Sequence, residues 1–188
     1  MFVMAHELYD ALPIHQFKYL GKNDWTEMCV KLEGIDYSRS GFQGKINLSA
    51  DDDQQVNQPS GDLIFGETGA NTENVVKVLQ PSKFFSEEAK KDLKVGDTFE
   101  VCPSASDFTK DIASLVELTR GAALVVDYGE DHAFSNSFRG IQNHKLVKDW
   151  PTIFNQVGRL DLTSYVNFKQ IAQLAKMNKK IITHGPMP

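Results

Sequence analysis

Cysteine is scarce in this 188-residue chain, with two residues, Cys29 and Cys102. Two cysteines cannot build a disulfide framework of the small secreted kind, nor a Cys-rich zinc site unaided, so a reducing compartment is the default expectation. Positive charge is also short: 20 Lys+Arg stand against 25 Asp+Glu, for a net charge of −5. A nucleic-acid binder needs a dense positive face, and that class is set aside. Long apolar runs are missing. The stretch from Gly121 to Val126 is among the longest and is far too short to cross a bilayer. The N-terminus, Met1-Phe2-Val3-Met4-Ala5-His6-Glu7, has neither the basic start and long apolar stretch of a secretory signal nor the Arg-rich character of a mitochondrial presequence. The chain also lacks a Gly-x-Gly-x-x-Gly loop, a phosphate loop, a Gly-x-Ser-x-Gly elbow, a His-Glu-x-x-His pair and internal repeats. What remains is an ordinary globular balance, 41% hydrophobic and 24% charged, which excludes a wholly disordered chain.

Phe2 to Ala5 read as a short buried strand that ends abruptly at polar residues. Glu7 to Leu12 fit one helical turn closed by Pro13. His15 to Tyr19 and Trp25 to Leu32 read as strands, joined by the turn chemistry of Gly21-Lys22-Asn23-Asp24 into a β-hairpin. Residues 33 to 60 carry little pattern and read as a solvated loop. Asp51-Asp52-Asp53 there lacks the spacing of a calcium loop, and Asn47-Leu48-Ser49 is read as a chance sequon. Lys83 to Lys94 fit an exposed helix or loop. Thr98 to Val101 read as a strand. A helix then runs to about Leu118, capped by Ser104 or Ser106, with Phe108, Ile112, Leu115, Val116 and Thr119 on one face. Gly121 breaks it, and Ala122 to Val126 follow as a continuous apolar strand ending in Asp127-Tyr128-Gly129. A strand apolar on both faces directly after an amphipathic helix predicts a parallel sheet covered by helices. Asn167 to Met177 read as a second helix, and Lys179 to Thr183 as a further strand.

Two strand ends carry carboxylates: Glu7 with Asp10 after the first, and Asp127 after the later one. Ligands of open α/β sheets bind beyond the carboxyl ends of strands. Paired carboxylates there hold a cation or take its proton. The residues alone equally allow Asp10 as a turn residue before Pro13 and Asp127 as a strand-end turn with Gly129. The loop Phe138-Arg139-Gly140-Ile141-Gln142-Asn143-His144 reads either as a ligand loop or as a surface loop tied by its own hydrogen bonds. A generic small-molecule enzyme using Asp127 and His144 as base is a further reading.

Ala5-His6-Glu7-Leu8-Tyr9-Asp10-Ala11-Leu12-Pro13-Ile14-His15-Gln16-Phe17, then Trp25 and Glu27, resembles the MidA family of S-adenosylmethionine-dependent methyltransferases. Further matches follow in the family's order. They are Glu100-Val101-Cys102-Pro103, Gly121 to Gly129, Phe138-Arg139-Gly140 with His144-Lys145-Leu146, Gly158 with Asp161-Leu162-Thr163, Val166 with Phe168, and Gly185-Pro186. Residues 33 to 97 match poorly and correspond to a variable, β-rich or looped insert.

The resemblance implies an α/β fold, a partial Rossmann-like class I methyltransferase domain over 1–188 with a mostly parallel sheet and flanking helices. It implies S-adenosylmethionine as cofactor, a respiratory complex I core subunit as protein substrate, symmetric dimethylation of an arginine, and a mitochondrial location. The glycine loop and ribose carboxylate that such a fold uses for the cofactor are absent from this sequence. The chain is therefore expected to be the second half of the catalytic domain, to bind S-adenosylmethionine poorly and to be marginally folded. The resemblance places Glu7 and Asp10 as catalytic residues, and Asp127, Arg139 and His144 around the substrate. The alternative is a non-catalytic remnant that still contacts the assembly partner.

Overall fold

In a computed structural model, residues 1–33, 62–156 and 158–187 are described. The expected polar loop, with its triple Asp and its sequon, lies outside these residues from position 34 onward.

The first half of the chain builds an antiparallel sheet. Strand β1 (Phe2–His6) leads through a turn into β2 (His15–Gly21) and β3 (Asp24–Leu32). Lys22 and Asn23 at the β2–β3 connection both hold positive φ, 53° and 67°, the backbone that a two-residue hairpin turn requires. β4 (Leu63–Glu67) is followed by a π-helical turn, Val75–Leu79, and by two short helices, α1 (Pro81–Phe84) and α2 (Glu87–Asp92). β5 (Thr98–Val101) completes a four-stranded sheet ordered β4-β3-β2-β5, antiparallel throughout. One face buries Phe17, Trp25 and Val101 against Val75, Leu79 and Phe85. The Trp25 and Phe85 rings stack with centroids 5.2 Å apart, and Phe99 meets both edge-on. Residues 62–97, expected as a mere insert, thus supply three of the six buried side chains of this core.

The second half alternates helix and strand. α3 (Pro103–Thr119) runs into β6 (Ala122–Val126), which pairs in parallel with β1 from Phe2↔Ala122 to His6↔Val126. A Cβ on Gly121 would overlap the Met1 carbonyl, so only glycine lets the two strands start side by side. β7 (Gly129–Glu130), β8 (Arg139–Gln142), β9 (Lys145–Val147), α4 (Trp150–Asn155), β10 (Asp161–Thr163), β11 (Val166–Asn167) and α5 (Phe168–Lys176) follow. β10-β8-β9 form a small antiparallel sheet, and β11 pairs in parallel with β7. Trp150 and Phe154 of α4 pack on Phe65 of β4, with centroids 4.4 and 5.5 Å away.

The molecule is a mixed α/β structure of several small sheets. Its largest sheet is antiparallel, where a mostly parallel one was expected. A two-residue hairpin can join only antiparallel neighbours, whereas the parallel β1–β6 pair needs a long crossover that ends in α3. The apolar strands are also not buried on both faces. Ala5 and Val125 face Ile112 of α3 and Phe168 and Ile171 of α5, but Phe2 and Met4 are 65% and 61% exposed, with Leu124 and Val126 open beside them.

The inner face of α3 is rotated from the expected one. Thr109 and Ala113 are buried and Ala105 and Ile112 pack inward, while Phe108 is exposed. Small residues on that face let α5 lie close. The α3 cap is Cys102, whose Sγ accepts from the Ala105 N–H at 3.4 Å, rather than a serine. Glu7 to Leu12 form a turn and not a helix, and residues 179 to 183 pair with no strand among the described residues.

Candidate functional site

The turn after β1 is built around one carboxylate. Asp127, at the end of β6, accepts hydrogen bonds through Oδ2 from the N–H groups of Leu8 (3.1 Å), Tyr9 (2.8 Å) and Asp10 (3.4 Å). Its Oδ1 accepts from the Tyr128 N–H at 2.8 Å. These three N–H groups lie where even a helical turn would leave its first amides without an internal partner, and the Asp127 side chain satisfies them. Burial pushes the Asp127 carboxyl above its ordinary range, opposed by the N–H groups of Tyr128 and Tyr9. The turn starts with a positive φ of 48° at Glu7, whose N–H donates to the Val126 carbonyl at 2.8 Å. Below it, Tyr9 is buried and its hydroxyl meets Thr109 Oγ1 at 3.3 Å; burial raises this phenol.

Two carboxylates remain on the turn. Glu7 is half-exposed, with His6 Nε2 3.8 Å from its Oε1. Asp10 is part-buried: its Oδ2 accepts from Thr163 Oγ1 at 2.7 Å and its carbonyl from the Ser164 N–H at 2.9 Å. Two carboxylates on one turn at the carboxyl ends of two parallel strands are the donor-accepting groups that a planar, multi-donor cation needs.

Arg139 opens β8, directly opposite Thr163 of β10. Its guanidinium carbon lies 3.8 Å from the centre of the Tyr165 ring, and Nη1 donates to the Ser137 carbonyl at 3.2 Å. His144 lies apart. Asn143 and His144, at φ 50° and 61°, form the tip of the β8–β9 hairpin, and among the described residues no hydrogen bond ties His144 to Glu7, Asp10 or Asp127.

Sequence reasoning missed the role of Glu100. Its Oε1 accepts from the N–H groups of Ser137 (2.7 Å) and Phe138 (3.3 Å) and from Gln16 Nε2 (3.1 Å), while Oε2 accepts from Ser137 Oγ at 2.5 Å. The same Ser137 Oγ accepts from the Tyr165 N–H at 2.8 Å. One carboxylate therefore fixes the loop that carries Arg139. A lone acidic residue inside the short strand Thr98–Val101 was the available signal. His15 was likewise read only as part of a motif. Its Nδ1 meets Glu27 Oε1 at 2.6 Å, and Asn74 Nδ2 donates to Glu27 Oε2 at 2.8 Å.

These elements define a mixed α/β protein with an acidic turn at the carboxyl ends of a parallel strand pair. Residues 1–187 match the family described as "Putative S-adenosyl-L-methionine-dependent methyltransferase", and the chain belongs to that family. It is 31% identical over 186 residues to the human Protein arginine methyltransferase NDUFAF7, mitochondrial, covering 99% of this chain and 33% of that protein. The cattle protein of that name (Bos taurus) is 27% identical over 186 residues, with the same 99% and 33% covered. The Caenorhabditis elegans homolog is 30% identical over 185 residues, covering 97% of this chain and 34% of the homolog. The chain thus spans about a third of the length of these relatives.

The described residues do not fit S-adenosylmethionine by themselves. The cavity beside the acidic turn, lined by Tyr9, Ser164, Tyr165 and Asn167, holds about 40 Å³, room for water only. A larger cavity of about 300 Å³, walled by Met28, Phe65, Phe138 and Phe154, has no charged side chain to meet a sulfonium or an amino-acid head group. No helix among the described residues is long and apolar enough to cross a membrane.

Proposed function

We propose that this chain is the acceptor-side part of a mitochondrial protein arginine methyltransferase that modifies a respiratory complex I core subunit, symmetrically dimethylating its arginine. The observation that supports this reading is the acidic turn: Glu7 and Asp10 lie on one turn after β1, whose backbone is held by three amide contacts to Asp127. Family membership and the names of the relatives support it. In this reading Glu7 and Asp10 grip the target guanidinium and aim one nitrogen. Asp127 is a positioning residue, because its oxygens are taken up by the backbone. His144, at its hairpin tip, is left out of the grip.

Residues 1–188 form one part of a Rossmann-like domain, with β1 and β6 as two strands of its parallel sheet. The glycine loop that holds S-adenosylmethionine belongs to the other part, which packs on the open face of β1–β6. That part, when loaded, supplies the methyl group; the residues described here bind and orient the acceptor.

The test uses the native polypeptide that contains these residues, labelled S-adenosylmethionine and purified complex I core subunits. Glu7→Gln is expected to cut methyl transfer by roughly two to three orders of magnitude with cofactor affinity unchanged. Near-normal transfer would remove Glu7 from the grip. The alternative is a non-catalytic remnant that binds the same partner. Stable capture of the core subunit by a polypeptide that never methylates it would select that reading.

A further inference from the structure

Two charged side chains are buried among the described residues, Glu27 at 9% exposure and Arg139 at 6%. Their surroundings differ. Both Glu27 oxygens have partners, His15 Nδ1 and Asn74 Nδ2. Arg139 has one hydrogen bond, to the Ser137 carbonyl, and no ion pair among the described residues includes it. A guanidinium carries five N–H donors, and a ring beneath it satisfies its face but not its edge. Glu100, which fixes the loop before Arg139, is engaged by Ser137, Phe138 and Gln16. Thr72 Oγ1 is the one fully buried, partnerless side-chain polar atom among the described residues, so the unused nitrogens of Arg139 keep access to solvent. The free edge of the guanidinium matches a carboxylate fork.

We propose that Arg139 is a specificity-determining residue that binds a carboxylate side chain, Asp or Glu, of the protein substrate. The inference rests on the reading of Glu7 and Asp10 as the grip for the target arginine. Thr163 connects the two charges: its hydroxyl donates to Asp10 at 2.7 Å, and it stands directly opposite Arg139 across the β8–β10 pair. The two sites are thus linked through one residue across one strand pair. The site therefore has a negative end and a positive end, and takes a segment in which an acidic residue lies a few positions from the arginine. Glu100 is the positioning residue of the positive end, because it fixes the 137–139 backbone that carries Arg139.

The experiment measures binding of this chain to three fluorescent nonapeptides of Gly and Ser by anisotropy. The first carries Arg and Asp three positions apart, the second Arg with Asn, and the third citrulline with Asp. The Asp peptide is expected to bind roughly tenfold more tightly than the Asn peptide. Arg139→Gln is expected to bring the Asp peptide down to the level of the Asn peptide, and Arg139→Lys to fall between, since it keeps the charge and loses the fork. The Asp/Asn contrast is read first on the wild-type chain, so it decides the inference even where an Arg139 variant unfolds, and only variants with the wild-type circular-dichroism spectrum are compared with it. Equal binding of both peptides by the wild-type chain overturns the inference and leaves the grip intact. A preference that survives Arg139→Gln overturns it too. Binding of the citrulline peptide that Arg139→Gln abolishes upholds the carboxylate site while removing the arginine grip.

Discussion

The four-stranded antiparallel sheet and the β1–β6 pair are both rich in apolar residues, yet one is closed and the other open. Phe17 and Trp25 vanish beneath Val75, Leu79 and Phe85. Phe2 and Met4, no less apolar, face solvent together with Leu124 and Val126. In the first sheet the covering pieces come from the same stretch of chain, residues 62–101. In the second, α3 and α5 cover one face and leave the other. The difference teaches that apolar character marks a strand for burial, while the cover is decided by what the chain packs on it. Buried polar groups follow the same division. Glu27, under the closed sheet, is fully paired, and Arg139, beside the acidic turn, is not.

The contrast is sharpened most by Trp25→Ala. It empties the centre of the aromatic cluster and is expected to cost about 3–5 kcal/mol in a urea unfolding curve. A loss below about 1 kcal/mol would mean that this sheet is no better packed than the other. Asp127→Asn comes next. It keeps one acceptor for the turn but sets an N–H₂ against a backbone N–H, at an expected cost of about 1–2 kcal/mol. The same residue supplies a pH signature. Because burial raises its folded-state carboxyl above the ordinary 3.8, the folded chain holds more protons than the unfolded chain between those two values. Stability from this group therefore falls as pH rises through that window, and Asp127→Asn should remove the decline in unfolding midpoints measured across it. The smallest effect belongs to the open face. Leu124→Ser is expected to change stability of the chain by less than about 0.5 kcal/mol. A loss comparable to that of Trp25→Ala would show that the face is covered in solution, and would break the comparison outright.

The β2–β3 hairpin was legible because Lys22-Asn23 chemistry and flanking alternation agree, and α5 because Asn167 caps a periodic run; its Oδ1 accepts from the Gln170 N–H at 3.1 Å. The α3 face was misread by one position because Thr109 and Ala113, small or polar, carry little hydrophobic signal, although close helix contact favours them. Within the site, Glu7, Asp10 and Asp127 were recognisable as strand-end carboxylates. Their division of labour was not, since a carboxylate that binds backbone amides looks the same in sequence as one that faces a ligand. Glu100 and Thr163 stand out in the sequence only as members of motifs, and their contacts were not legible because the partners lie 37 and 153 residues away.

The sequence by itself determined the main strands and helices, β1, β2, β3, β5, β6, α3 and α5, which strand ends carry acid, and the family to which the chain belongs. These depend on local propensity, alternation and motif order, all written in neighbouring residues. Only the tertiary structure decided that the largest sheet is antiparallel, that one face of β1–β6 is open, that Asp127 holds the turn, and that Arg139 is buried without a counter-ion. Each of those depends on which distant groups meet, and hydrogen bonds and burial are set by that meeting rather than by the order of residues along the chain.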